Sequence, residues 1–187
     1  MKTSNAIKFR RAIYPSQFQD LEISVELIEE ILQNANLAPS HRLTQPWFFK
    51  VFQNHHKNRL AKAMIEKYEL SNPKQNSDFK KNKILQKCIQ SNCIIAIFMT
   101  RDVTESVPEW EEIAATAMAV QNMWLTCVEN NIGCYWSSPK YMSLMNDFFK
   151  LKNNQRCLGF FYMGGYIHKN QLPTKRKLLS EKVEWFL

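Results

Sequence analysis

The sequence predicts an α+β fold in which one sheet is flanked by helices. Stretches with apolar residues three and four apart alternate with short runs rich in β-branched and aromatic residues. One such run, Cys93 to Thr100, is apolar almost throughout, as a central strand buried on both faces must be. No internal repeat or low-complexity tract breaks the alternation. The 187 residues, 45% of them hydrophobic, suffice for one domain spanning residues 1–187 with a substantial core.

Ser24 opens the first predicted helix as its N-cap; Leu27, Ile28, Ile31, Leu32 and Ala35 fall on one stripe, and Pro39 closes the segment. Phe48 to Phe52 reads as a short strand with Pro46 ahead of it. A second helix is expected from about Lys57 to Leu70, and the polar, proline-marked stretch from Ser71 to Phe79 as a short excursion before apolar residues resume at Ile84. Beyond the central strand, Pro108-Glu109 suits a first helical turn, where a missing N–H costs nothing and an acid meets the positive end of the dipole. The helix so opened, about Pro108 to Asn130, carries Trp110, Ile113, Ala114, Ala117, Met118, Val120, Trp124, Leu125 and Val128. So apolar a surface belongs in the core or in a subunit interface, with Trp110 and Trp124 on its buried side. Asn131 and Gly133 end it, and Cys134 to Ser137 returns as a strand. Ser138-Pro139 then opens a helix with Tyr141, Met142, Leu144, Met145, Phe148 and Phe149, and Leu158 to Gly164 is the last strand.

The net charge of +8 is densest from Lys74 to Lys87, which reads as a solvated helix and loop, not a nucleic-acid face; the positive field also favours anionic cofactors. The five cysteines are an odd number without a C-x-x-C pair and lie mostly in apolar surroundings, which predicts buried reduced thiols and a cytoplasmic protein. Met1 to Phe9 has no apolar export core and no run reaches a membrane-spanning length, so neither export nor membrane insertion is expected. His55, His56 and His168 have no partners at ligand spacing, which argues against metal catalysis.

Only four glycines occur, Gly133, Gly159, Gly164 and Gly165, and neither a G-x-G-x-x-G turn nor a G-x-x-x-x-G-K-[ST] loop can be built from them. A phosphorylated ligand must therefore be gripped by side chains. Arg10 and Arg11 qualify, because adjacent guanidinium forks match phosphate oxygens bidentately. Taken in order, Arg10-Arg11-Ala12, Ala38-Pro39-Ser40-His41, Gln45-Pro46-Trp47, Ile132-Gly133 with Tyr135-Trp136-Ser137-Ser138, and Lys175-Arg176-Lys177 resemble the nitroreductase family, especially its short members. The resemblance runs from Arg10 to about Trp185.

What this resemblance implies is specific. The fold is a homodimer with a central mixed or antiparallel sheet, the cofactor is FMN, the reductant is NAD(P)H, and the acceptor is a small electron-poor molecule such as a nitroaromatic or a quinone. Arg10, Arg11 and the Ala12 N–H hold the FMN phosphate and ribityl chain; His41 and Gln45 touch the flavin. Trp136, Ser137 and Ser138 lie beside the isoalloxazine ring, Ser138 also serving as a helix cap and Trp136 either on the ring or in the core. Arg176 is a further candidate for the phosphate, and a solvated basic run is the other reading of its segment. No catalytic side chain is implied, since the flavin carries the chemistry. The tail Val183 to Leu187 docks on the partner subunit. The chain also departs from the family. Where many members have Arg-Arg-Ser-x-Arg it reads Arg10-Arg11-Ala12-Ile13-Tyr14, and Leu43 replaces the asparagine of N-x-Q-P-W. A hydroxyl, a guanidinium and an amide are thus missing, and a flavin carrier or sensor without turnover is the alternative function.

Overall fold

Four antiparallel strands form the sheet in the order β1-β2-β4-β3, with β1 at Trp47–Phe52, β2 at Cys93–Thr100, β3 at Ile132–Ser137 and β4 at Gln155–Gly165. This computed structural model describes residues 3–19, 21–74, 76–167 and 174–186. His168, and Leu187 at the end of the tail, lie outside the described residues. Every pairing is antiparallel, which settles the mixed-or-antiparallel expectation. β2 sits inside the sheet and is buried from Cys93 to Met99, so its isoleucines alternate between two cores. Each such side chain contributes about 1.5–3 kcal/mol by leaving water.

Among the described residues six α-helices surround the sheet: α1 Thr3–Phe9, α2 Val25–Asn36, α3 His55–Ser71, α4 Asp78–Gln90, α5 Glu109–Glu129 and the single turn α6 Asn146–Phe149. On one face Ile28 and Ile31 of α2 and Ala119, Val120, Met123 and Cys127 of α5 meet Ile95, Ile97, Phe161 and Met163. On the other, Leu60 and Met64 of α3, Cys88 of α4, and Tyr141, Met145 and Phe149 meet Ile94, Phe98, Phe160 and Tyr162. Ser24 caps α2 as expected, its hydroxyl accepting from the Leu27 N–H, a bond of about 1 kcal/mol.

Three expectations need correcting. The segment after Pro139 is a 3₁₀ helix, Lys140–Met145, followed by α6, and Ser138 caps neither. Tyr141, Met145 and Phe149 must all enter one core, and Lys150 at φ 52° ends the turn at once. Trp110 is 67% exposed on this chain, because α5 buries Glu112, Ala115, Thr116, Ala119, Val120 and Met123 instead. The polar excursion is shorter than predicted: Ser77 caps α4, whose amphipathic pattern is diluted by lysine. Residues 174–186 are exposed throughout and so do not dock on their own chain.

Candidate functional site

β3 is an edge strand, and the segment after α1 closes its free side. The Ile13 N–H donates to the Cys134 carbonyl at 3.0 Å. Gly133 makes that approach possible, for a Cβ there would lie 2.8 Å from the Ile13 side chain. Trp124 of α5 fastens the same segment, donating its indole N–H to the Arg11 carbonyl at 3.2 Å. The Arg10 guanidinium rests over that indole, 4.7 Å from the ring centroid, with no carboxylate paired to it among the described residues. Ala12, next after the two arginines, is exposed, and its N–H has no acceptor among the described residues. Two guanidinium-bearing residues and a spare main-chain donor thus crowd one strand edge.

Past Ile13 the segment crosses to the second face. Tyr14 lies 5.0 Å, ring to ring, from Tyr135, which stacks on Tyr162 at 5.1 Å. The Tyr135 hydroxyl is buried with no well-formed hydrogen bond among the described residues, and burial, opposed more weakly by the Ser137 side chain, raises its pKa above the usual phenol range.

Ser137 stands about 10 Å along β3 from Cys134, so it shares the edge with the arginines. Trp136 belongs to the first core: its indole N–H donates to the Leu158 carbonyl at 3.0 Å. The residue is half-buried there. Gly159, at φ 132° beside the irregularity in the β2–β4 register, makes room for it. A Cβ there would lie 2.4 Å from the Ser137 oxygen and 2.6 Å from the Trp136 indole nitrogen. Ser138 is exposed just beyond.

His41 and Gln45 lie elsewhere. They sit on a loop with three non-glycine residues in the left-handed region, Arg42 at φ 51°, Leu43 at 54° and Gln45 at 43°. Such residues cost of order 1–3 kcal/mol each and persist only where surroundings impose them. Here the Gln45 N–H donates to the Ser40 hydroxyl, and the Pro46 carbonyl accepts from Thr100 of β2. His41 Nδ1 is 2.6 Å from Oε2 of Glu111, at the start of α5. The next residue, Glu112, is 1% exposed and is satisfied by Arg101 and by the Asp102 N–H at 2.9 Å.

The predicted residues therefore form two groups at opposite ends of α5. Arg10, Arg11 and Ala12 gather beside Trp124, with Ser137 on the same strand edge; His41 meets Glu111, about 20 Å away along the helix axis. Arg176 is exposed, and its only described hydrogen bond goes to the neighbouring Lys175 carbonyl. Sequence reasoning missed Trp124 and Glu111. Both sit on a helix read as mostly apolar, and their partners are 113 and 70 residues away.

Together, an antiparallel sheet between helical layers and an arginine-bearing segment laid along its edge strand β3 define an α+β protein. The model described as the nitroreductase family matches residues 7–166, and the chain belongs to that family. It is 27% identical over 174 residues to YfhC of Bacillus subtilis (strain 168), which carries a provisional NAD(P)H nitroreductase name; the match covers 91% of this chain and 86% of that one. Its fold is that of a nitroreductase-like family protein from Bacillus cereus, at a TM-score of 0.82 and 24% identity over 100% of this chain and 96% of the other. The same holds for a provisionally named nitroreductase from Desulfovibrio desulfuricans, solved in complex with FMN, at a TM-score of 0.72 and 22% identity over 100% and 99% of the two chains.

Proposed function

We propose that this protein is an FMN-dependent oxidoreductase that takes reducing equivalents from NAD(P)H and passes them to a nitroaromatic or quinone. The observation that carries this reading is the edge of β3, where Arg10, Arg11 and the unpaired Ala12 N–H converge. A phosphate monoester fits that donor set: two planar guanidinium groups and one main-chain N–H supply charge-assisted bonds without a glycine loop. Ser137 and Ser138 extend the donors along the same edge. When bound, FMN supplies hydride acceptance and donation. The chain's own residues hold it. Arg10 and Arg11 neutralise the phosphate, Trp124 fixes the segment that bears them, and Ser137 and Ser138 offer hydroxyls to the polar rim of the ring.

His41 and Gln45 join the same ligand only when two chains meet. α5 exposes a stripe of Trp110 and Met118 with Ala114 and Ala117 half-covered, small enough for close helix approach. Two copies related by a two-fold axis across this stripe run α5 antiparallel, which sets one chain's arginine end beside the other's His41 end. The family resemblance supports this homodimer, and the exposed Trp185 and Phe186 suit the same partner. The five described cysteines are free and buried, which fits a reducing cytoplasm.

Purification should yield a yellow protein with a flavin absorption spectrum that bleaches on anaerobic addition of NADPH or NADH. A colourless protein that takes up no FMN would overturn the reading. A yellow protein that neither nicotinamide bleaches would leave the carrier or sensor role.

A further inference from the structure

α4 faces the N-terminal segment across a cavity of about 450 Å³, walled by Tyr14, Pro15 and Ser16 on one side and by Lys83, Gln86 and Lys87 on the other. Lys83 and Lys87 stand one turn apart on the same helix face, where like charges repel. Among the described residues no carboxylate lines the space. Lys87 Nζ lies 5.7 Å from the centroid of the Tyr135 ring and, among the described residues, has neither a hydrogen-bond acceptor nor a counter-ion. Burial, and then the Lys83 charge, lower its pKa below the usual lysine value. Lys57, in the adjoining recess that shares Pro15 and Ser16, is different: its ammonium donates to the Ser91 carbonyl. A partly desolvated cation left without an anion is costly.

We propose that this cavity binds the electron-rich oxygen edge of a planar aromatic ring, whether carbonyl or carboxylate. Tyr14, 52% exposed and braced by Tyr135, is the stacking wall; Lys83 and Lys87 supply the charge, and Gln86 and Ser16 supply hydrogen bonds. The charge that many family members carry at position 14 then arrives from α4. Two molecules have this chemistry: the dione edge of the flavin, a source that rests on the FMN reading above, or a carboxylated aromatic acceptor.

The test compares wild-type protein with a Lys83→Gln/Lys87→Gln variant, and with Lys87→Arg, which keeps the charge. FMN affinity is read by quenching of flavin fluorescence, and KM is measured for 4-nitrobenzoate and for neutral nitrobenzene. If the flavin edge occupies the site, the double variant binds FMN about tenfold more weakly, as loss of charged hydrogen bonds requires, and Lys87→Arg binds nearly normally. If an acceptor occupies it, FMN affinity holds while KM rises about tenfold for nitrobenzoate alone. Unchanged FMN affinity and unchanged KM values overturn the proposal. A wild-type protein that takes up no FMN sinks the functional reading, and benzoate then decides the pocket. A benzoate-induced rise in melting temperature that the double variant loses supports the site; no rise, or equal rises in both proteins, overturns it.

Discussion

The indole N–H of Trp124 lies 3.2 Å from the carbonyl oxygen of Arg11, and the Arg10 guanidinium covers the same ring. One side chain on the longest helix thereby sets the position of the arginine pair. Trp124→Phe keeps a ring for the core and for Arg10 but removes the donor. The expected result is a protein of near-normal melting temperature whose FMN dissociation constant rises about three- to tenfold, the worth of one hydrogen bond of about 0.5–1.5 kcal/mol. An unchanged constant in a fluorescence titration would show that the segment is held without it.

Trp110 and Met118 lie on the exposed stripe of α5. Trp110→Glu combined with Met118→Glu places two like charges on each side of a two-fold contact. Light scattering should show half the wild-type mass, and gel filtration should strip the flavin, because a site shared by two chains loses its ligand when they part. A double variant of wild-type mass that keeps its colour would put the interface elsewhere.

Gly159→Ala tests the irregularity in the β2–β4 register, where β4 passes the end of β3. The new Cβ would meet the Ser137 oxygen at 2.4 Å in a backbone conformation, φ 132°, that L side chains rarely adopt. Destabilisation of about 2–4 kcal/mol is expected from strain and steric conflict together. Urea denaturation with tryptophan fluorescence reads both the stability and any displacement of Trp136. A loss below about 0.5 kcal/mol would show that the bulge relaxes freely.

The thiols predict a pH dependence. Burial pushes Cys88 and Cys93 up to about 12, against an ordinary value of 9.0. The folded state therefore holds these protons more tightly than the unfolded chain does. Their contribution to stability is fully present below about pH 9 and is lost as pH rises toward about 12, so the urea midpoint should fall across that window. At about pH 8 a thiol reagent should label none of the five buried cysteines of the native protein, and all five after denaturation. Rapid labelling of the native protein would show that these thiols are reached without unfolding.

Much of this molecule was legible in one dimension. β2 was predicted at its observed bounds, because a strand buried on both faces leaves a continuous apolar run. The Ser24 cap and the stripe behind it located α2. The arginine pair was legible because so few glycines leave no other phosphate grip. α1 was not: seven residues with no acid in the first turn and only Ala6 buried carry almost no periodic signal. The 3₁₀ turn after Pro139 was misread as a regular helix because Tyr141, Met145 and Phe149 keep a helical spacing of four even where the backbone tightens.

By itself the sequence determined the α+β alternation, the central strand, the family and the residue types available to hold a phosphate. These are local properties, written in periodicity, caps and side-chain chemistry. Only the tertiary structure decided that Trp110 faces outward, that His41 pairs with Glu111, and that Lys87 meets Tyr135 opposite Tyr14. An apolar helix surface does not say which of its sides meets the sheet. In the structure the buried side of α5 is the one that carries Glu112, met there by Arg101, together with Ala115, Ala119 and Met123. A pairing across 70 or more residues depends on strand order, and strand order leaves no mark on any single segment of the chain.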